Sequence, residues 1–431
     1  MLDRKFILEN VDAVKQNCNH RNASAVVDQF VTLEKERKSL QQEWEQLQTE
    51  SNAVSKSVGQ AQSDSERETK KEEGRILREK AAAVKEKLDT LEPEIESLQR
   101  VIPNMSHPDA PIGTDDTASL RRALGKTPIP TFDFMPLDHV VLGEKLDLID
   151  FKAGARVAGA GFYFLKNDAV LLELALQRYA IEILIQAGFT PTTTPDLARN
   201  DILQGTGFTP RGPETQIYSI EGTDLSLVAT AEIPLGGMLA EQTVDADELP
   251  IRLCGLSHCF RTEAGAAGRA SRGLYRVHQF TKVEMFAFTL PEQSDAMHLE
   301  MLDLECQIFD GLGIPYQVVD TATGDLGGPA YRKFDLEAWM PGRGDGGEYG
   351  EVTSTSNCTD YQARRLNARY KIKGEKGTKF LHTLNGTAIA ISRALVAILE
   401  LYQQKDGSVV VPAVLRPLVG KEVIRSKNTE P

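Results

Sequence analysis

Between residues 26 and 58 the apolar positions recur in alternating steps of four and three: Val26, Phe30, Leu33, Leu40, Trp44, Leu47, Val54 and Val58, interrupted only at Arg37 and Ser51. This is a heptad seam, and it predicts a long helix with one apolar stripe. The polar run from Gly59 to Ser65 breaks the pattern, and a second seam follows at Leu77, Ala81, Val84, Leu88, Leu91, Ile95, Leu98 and Ile102. Two helices of similar length joined by one short polar connection predict an antiparallel hairpin, projecting as an arm of about 33 residues, or roughly 50 Å at 1.5 Å per residue. Pro93 lies inside the second seam, so a kink near Leu88 to Thr90 or a helix break is expected there. The flanks are dense in charge, as at Glu34-Lys35-Glu36-Arg37-Lys38 and from Glu66 to Lys71. A solvated face with intrahelical ion pairs and a surface that grips phosphates both fit this pattern, which does not choose between them.

Past Ile102-Pro103-Asn104 the texture changes. The Pro/Gly/Asp-rich stretch from His107 to Asp133 reads as a linker with some edge structure. Leu171 to Ile185 reads as an amphipathic helix closed by Gly188. Strand-like runs at Leu225 to Thr230, Lys282 to Phe288 and Tyr316 to Val319 then mix with helices at Glu292 to Phe309 and Ala388 to Gln403. Strands that follow one another without regular intervening helices favour an antiparallel α+β domain over a doubly wound parallel sheet. The expected division is a helical arm over 1–104 (hairpin at about 26–102), a linker over 105–135, an α+β domain over 136–425 and a tail over 426–431.

Composition narrows the class. The chain has 431 residues, with 49 basic against 62 acidic side chains and a net charge of −13, which disfavours a protein that coats nucleic acid non-specifically but leaves local basic patches open. An apolar content of 41% with 26% charged residues supports a large core and argues against wholesale disorder. Uncharged apolar stretches such as Ala388 to Ser392 and Ser408 to Leu415 fall well short of the roughly 18 residues a membrane-spanning helix needs. The N-terminus meets charge at Asp3-Arg4-Lys5, so no secretory signal is expected. Cys18, Cys254, Cys259, Cys306 and Cys358 form an odd, scattered set that suits free thiols in a reducing cytoplasm. The spacing of Cys254 and Cys259 lacks a second matching pair, so no zinc is expected.

The densest constellation runs Cys259-Phe260-Arg261-Thr262-Glu263, then a Gly/Ala-rich loop from Ala264 to Arg272, then Gly273 to Glu284. Its layout reads as strand, flexible loop, strand. Side chains two apart on a strand share a face, so Arg261 and Glu263 point together, as do Arg276, His278, Phe280, Lys282 and Glu284. Two guanidinium forks beside an aromatic plate suit a nucleoside triphosphate, with an exposed salt-bridged hairpin as the alternative. Downstream, Glu351 and Ser354 place a carboxylate and a hydroxyl three residues apart, which suits oxygen ligation of Mg²⁺. Thr383-Leu384-Asn385-Gly386-Thr387 leads into an apolar helix with Arg393 in its second turn. Thr387 reads there as a helix cap, and Arg393, costly if buried alone, as an anion partner.

Together these residues resemble the seryl-tRNA synthetases of the bacterial and organellar type, over nearly the whole chain. Three class II synthetase signatures occur in order: the helix followed by Thr192-Thr193-Thr194-Pro195, the Phe260 to Glu284 segment, and Gly386 to Arg393. The triplet Thr230-Ala231-Glu232, Arg272-Gly273-Leu274 and Thr383 to Thr387 resemble the seryl branch in particular. The resemblance implies a class II catalytic domain with a mainly antiparallel sheet flanked by helices. It implies that Arg261 meets the ATP α-phosphate, Glu263 the adenosine end, Phe280 the adenine, and Arg276 and Arg393 the outer phosphates. Thr262, Val277, Val352 and Thr353 would complete the ATP site, and Glu351 and Ser354 would hold Mg²⁺. Thr230, Ala231 and Glu232 would bind the serine ammonium, with Glu284, Thr387 and Asn385 at its hydroxyl. By the same resemblance the arm is a coiled coil that embraces the long variable arm of serine tRNA, raising the phosphate-gripping reading. The chain is then a cytoplasmic homodimer, and selenocysteine tRNA is a second substrate. Gly342 to Gly350 is longer than the family's usual turn. Fewer than about 40 residues follow Arg393, too few for the anticodon-binding domain that synthetases for threonine or proline carry there.

Overall fold

The computed structural model describes residues 1–23, 26–209, 216–264 and 273–426, arranged as two compact units, Met1–Met105 and Ser106–Pro431. Most of the loop expected from Ala264 to Arg272, with Arg272 itself, and residues 427–431 of the expected tail lie outside the described residues.

The first unit opens with two short helices, Arg4–Glu9 and Val11–His20, followed by the long pair Val27–Val58 and Asp64–Val101. The connection is closed by hydrogen bonds that its polar sequence supplies. Ser63 accepts from the Glu66 N–H at 3.2 Å and Glu66 accepts from the Gln62 N–H at 2.9 Å. Phe30, Ala81, Val84, Leu88 and Ile95 are buried, while Leu33, Leu40, Trp44 and Leu47 stay half-buried, because two helices alone cannot enclose both sides of a seam. The interruption at Arg37 has a local cause. Glu34, only 1% exposed, receives a bidentate pair from Arg37 at 2.8 and 2.7 Å, and Arg4 approaches it at 3.5 Å. Of the two outcomes expected at Pro93, a break does not occur. The helix runs unbroken to Val101 with Pro93 exposed, where water can serve the carbonyl that its missing N–H would have met.

The second unit is built on an eight-stranded sheet: β1 (Leu120–Leu124), β2 (Thr190–Thr193), β3 (Ile251–Phe260), β4 (Gln279–Thr289), β5 (Tyr316–Asp320), β6 (Arg332–Met340), β7 (Glu348–Asn357) and β8 (His382–Ala390). The order is β1-β5-β6-β7-β8-β4-β3-β2, antiparallel throughout except for the parallel pair β2–β3 at one edge. This is the α+β class expected. The edge strand β1 comes from the Pro/Gly/Asp-rich stretch read as a linker with edge structure.

Val283, Met285, Phe334, Leu336 and Leu384 on one sheet face pack with Leu172 and Leu176 from helix Asp168–Gln186, Met301 and Ile308 from helix Ser294–Leu312, and Leu395 and Ile398 from helix Ile391–Leu401. This layer is the main core. Helix Asp168–Gln186 ends as its glycine predicts: Gly188 takes φ +82°, and the Phe189 N–H returns to Leu184 O at 2.9 Å. On the opposite sheet face Phe286 and Phe288 pack with Leu235, Leu366 and Leu381, so short helices Glu232–Gly237 and Tyr361–Leu366 cover that face beside the site.

Two expectations change. Ala388-Ile389-Ala390 was expected to begin a helix, but it is the end of β8. A short apolar run flanked by strands on both sides is buried equally well as strand, and periodicity alone does not separate the two. The helix starts at Ile391, which puts Arg393 in its first turn and leaves Thr387 on the strand rather than at a cap. The strand-like run at Leu225 is only Leu225–Leu227. All five cysteines are free thiols, and burial, then the nearby Glu284, pushes Cys254 up to about 12. Among the described residues no helix is long and apolar enough to cross a membrane.

Candidate active site

A cleft on the second sheet face gathers residues from β4, β7 and β8, the segments just after β3 and just before β4, the stretch at Thr230 to Glu232, and the start of helix Ile391–Leu401. Its lining includes Thr230, Glu232, Arg261, Glu263, Arg276, Val277, Phe280, Glu284, Glu351, Val352, Thr353, Ser354, Asn385, Thr387 and Arg393. All were singled out in the sequence. Ala231 and Thr262 do not line it. Ala231 is fully buried in the small core beneath Glu232, and the Thr262 backbone N–H bonds to Gln216 O at 3.1 Å.

Strand alternation explains part of this convergence. Phe280 and Glu284 lie on one face of β4, and Glu284 sits opposite Thr387 of β8. The remainder depends on two bulges. Opposite Leu336 and Glu337 of β6 stand Thr353 and Glu351, so Val352 is an extra residue in β7. Opposite Glu284 and Val283 of β4 stand Thr387 and Ile389, so Ala388 is an extra residue in β8. An extra residue inverts the alternation beyond it, which is how Glu351 and Ser354, three apart, come to share a face.

The same rule fails at Arg276 to His278, which precede β4 instead of belonging to it. Arg276 and Val277 line the cleft. His278 turns away, stacked on Phe162 with ring centroids 5.3 Å apart and hydrogen-bonded to Tyr218 Oη at 2.8 Å.

At the arginine-rich end, the Arg261 guanidinium lies over Phe280 at 5.3 Å and Arg276 donates to Glu263 at 2.5 Å. Arg393 donates to the Glu351 carbonyl at 2.9 Å and pairs with its carboxylate at 3.1 Å. Burial raises the Glu351 carboxyl, but Arg393, then Lys333 and Arg261, lower it further, so it lies below its ordinary value and is ionised. Its side chain stays 45% exposed. An ionised carboxylate and a hydroxyl brought to one face make a hard-oxygen pair that fits a divalent cation.

The other end is a buried polar network. Glu284 is paired with Lys282 and accepts from Thr387 Oγ1 at 3.1 Å, and Lys282 also donates to Thr230 Oγ1 at 2.8 Å. Two amides converge on one oxygen of Glu232: Gln362 donates at 2.6 Å and Asn385 at 3.0 Å. Burial, then the charge of Glu284, pushes Glu232 up to about 7, against the partial relief of Gln362, Lys282 and Arg261. Lys282 had no role assigned in the sequence, although its alternation with Phe280 and Glu284 marked it. Tyr275 and Gln362, which orient site groups, carried no such signal.

A cleft on a mostly antiparallel sheet, with its arginines just after β3, just before β4 and on the helix that follows β8, defines the catalytic core of a class II aminoacyl-tRNA synthetase. Residues 217–402 match the tRNA synthetase class II core domain (G, H, P, S and T), and residues 1–106 match the seryl-tRNA synthetase N-terminal domain. The chain is 63% identical over 425 residues to a serine--tRNA ligase of Rhodopirellula baltica, covering 99% of this chain and all of that one. Its fold matches a seryl-tRNA synthetase from Pyrococcus horikoshii complexed with ATP, with a TM-score of 0.93 at 37% identity over 99% of this chain and 100% of the other. It also matches a cytoplasmic serine-tRNA ligase from Naegleria fowleri in complex with AMP, with a TM-score of 0.86 at 33% identity over 97% and 96% of the two chains. The chain belongs to the seryl-tRNA synthetases, the serine--tRNA ligases.

Proposed function

We propose that the chain activates L-serine with ATP, giving seryl-adenylate and pyrophosphate, and then transfers the seryl group to the 3′ end of serine tRNA. The observation that carries this reading is one cleft with Arg261, Arg276, Arg393 and Phe280 at one end and Glu232, Lys282, Glu284 and Thr387 at the other.

When the serine carboxylate attacks the α-phosphorus of ATP, negative charge accumulates on phosphate oxygens, and fixed guanidinium groups stabilise it without reorganising at the moment of reaction. Arg261 serves the α-phosphate, and Arg276 and Arg393 the outer ones. Glu351 and Ser354 would hold Mg²⁺, which would supply further charge neutralisation there. No enzyme nucleophile is needed. The tRNA 3′-hydroxyl then attacks the activated carbonyl and AMP leaves, so positioning contributes most of the second step. Thr230 and Glu232 hold the serine ammonium, and Glu284 and Thr387 its hydroxyl, with Asn385 fixing Glu232.

The wider reading adds the coiled-coil arm as the grip on the long variable arm of serine tRNA, selenocysteine tRNA as a second substrate, and a cytoplasmic homodimer. Exposed Val170, Leu171 and Leu174, the last at 56%, support a self-association face on the helix before Thr192 to Pro195. Light scattering at the mass of one 47.5 kDa chain would refute the dimer. The deciding experiment is ATP–pyrophosphate exchange across amino acids, followed by charging of purified serine tRNA. Serine-dependent exchange is expected, and exchange that responds to another amino acid but not to serine overturns the reading.

A further inference from the structure

A buried polar junction lies beside the cleft. Glu400, on helix Ile391–Leu401 with Arg393, is 2% exposed. Its Oε1 meets both the His139 backbone N–H, at 3.1 Å, and His139 Nδ1, at 2.7 Å, while its Oε2 accepts from the Gly342 N–H at 2.8 Å. The other ring nitrogen, His139 Nε2, accepts from the Leu274 N–H at 3.0 Å. A ring nitrogen that accepts a backbone donor carries no proton, so the ring proton sits on Nδ1 and is donated to Glu400. One carboxylate and one imidazole therefore tie together the start of helix His139–Lys145, the glycine-rich turn before β7, and the chain at Gly273-Leu274. The close approach depends on glycine: Gly273 has φ +75°, and a Cβ there would lie 2.0 Å from His139 Nε2.

What is anchored leads back to the cleft. Tyr275, next to Leu274, has the guanidinium groups of Arg343, at 4.5 Å, and Arg393, at 4.8 Å, over its ring, and its hydroxyl donates to Glu351 O at 3.0 Å. Arg393 donates to the carbonyls of both Glu351, at 2.9 Å, and Tyr275, at 3.4 Å. We infer that His139 and Glu400 are positioning residues for nucleotide binding, holding Leu274-Tyr275 so that Tyr275 aims the Arg393 guanidinium and the Glu351 segment at the triphosphate. This rests on reading the cleft as the ATP site. Neither residue lines the cleft, so neither is a catalytic residue.

The test uses the full chain and measures the ATP Kd by calorimetry together with serine-dependent pyrophosphate exchange. His139→Ala is expected to weaken ATP at least tenfold while the KM for serine moves less than twofold. His139→Gln, which keeps an acceptor for Leu274, is expected to retain more ATP affinity than His139→Asn, which keeps only the side toward Glu400. A cavity of about 490 Å³ is lined by His139, Tyr275, Arg343 and Glu400, so added imidazole is expected to restore ATP affinity to His139→Gly. Glu400→Gln, nearly isosteric, should reproduce the ATP defect if the histidine variants fold poorly. Unchanged ATP affinity in Glu400→Gln, or ATP and serine affinities falling together without imidazole rescue, would overturn the inference. Failure of the unaltered chain to exchange with serine would instead overturn the serine reading, because ATP affinity is read independently of it.

Discussion

Glu232 offers the sharpest test of the serine pocket. Its carboxyl is raised from the ordinary 4.5 to about 7 by burial and by Glu284. Each tenfold change in proton affinity is worth about 1.4 kcal/mol, so holding this group ionised in the pocket costs about 3 kcal/mol relative to water. A serine ammonium can pair with it only once the proton has left. Below pH 7 the apparent KM for serine should rise about tenfold per pH unit, and above pH 7 it should flatten. Serine remains a zwitterion across this window, so the slope belongs to the protein.

Glu232→Gln should remove the slope and raise the KM at pH 8 by ~10- to 100-fold, on the scale of one hydrogen bond to a charged group. Stability should move the other way. Between pH 4.5 and about 7 the folded chain keeps a proton that the unfolded chain has released, so stability falls as pH rises through that window. The glutamine variant, freed of that cost, should unfold a few degrees higher at pH 8. Lys282 lowers Glu232 through its charge, so Lys282→Met should move the step in KM to higher pH. A serine KM independent of pH from 5.5 to 8 in the unaltered chain, or an unaltered slope in Glu232→Gln, would refute this account.

Arg261→Ala should lose at least ~3 kcal/mol of transition-state stabilisation, the scale of one preorganised donor, and a near-normal pyrophosphate exchange rate would defeat its assignment to the α-phosphate. Glu284→Ala should lose serine-over-alanine discrimination, measured as the ratio of kcat/KM in exchange. The structure limits how large the native ratio can be, because Glu284 is already paired with Lys282 and Thr387, so alanine does not leave it bare. Lys35→Glu combined with Lys38→Glu, both exposed on the long helix, should leave exchange unchanged and weaken charging of serine tRNA, with a defect that shrinks at higher salt; unaffected charging would remove that face from the tRNA surface.

Much of this was legible in the sequence because two of its signals are local. The heptad seams needed only residues three and four apart, and they located the hairpin closely. The arginines, acids and hydroxyls of the cleft were visible as dense polar segments in an otherwise ordinary chain. What escaped depends on strand partners. Ala388-Ile389-Ala390 is apolar enough for either helix or strand, and only its position between β7 and β4 decides. Lys282 reads as one more charged residue until Glu284 and Thr230 are seen against it. Tyr275 gives no sign that two arginines will lie over its ring.

The bulges show why regular periodicity fails at the site. On an unbroken strand Glu351 and Ser354 would point to opposite faces, and so would Thr387 and Ala390, yet all four line the cleft. With regular pairing, the face of β7 that carries Glu351 would turn Ser354 into the core beside Leu336 and Phe334, where a hydroxyl costs free energy unless it finds a partner. The extra residues at Val352 and Ala388 remove that conflict by disrupting each ladder once. A spacing of three between a carboxylate and a hydroxyl in a strand-forming run is therefore informative in itself. It signals either that one of the pair is structural or that the strand carries a bulge, and here the pairing of β6 with β7 shows the bulge.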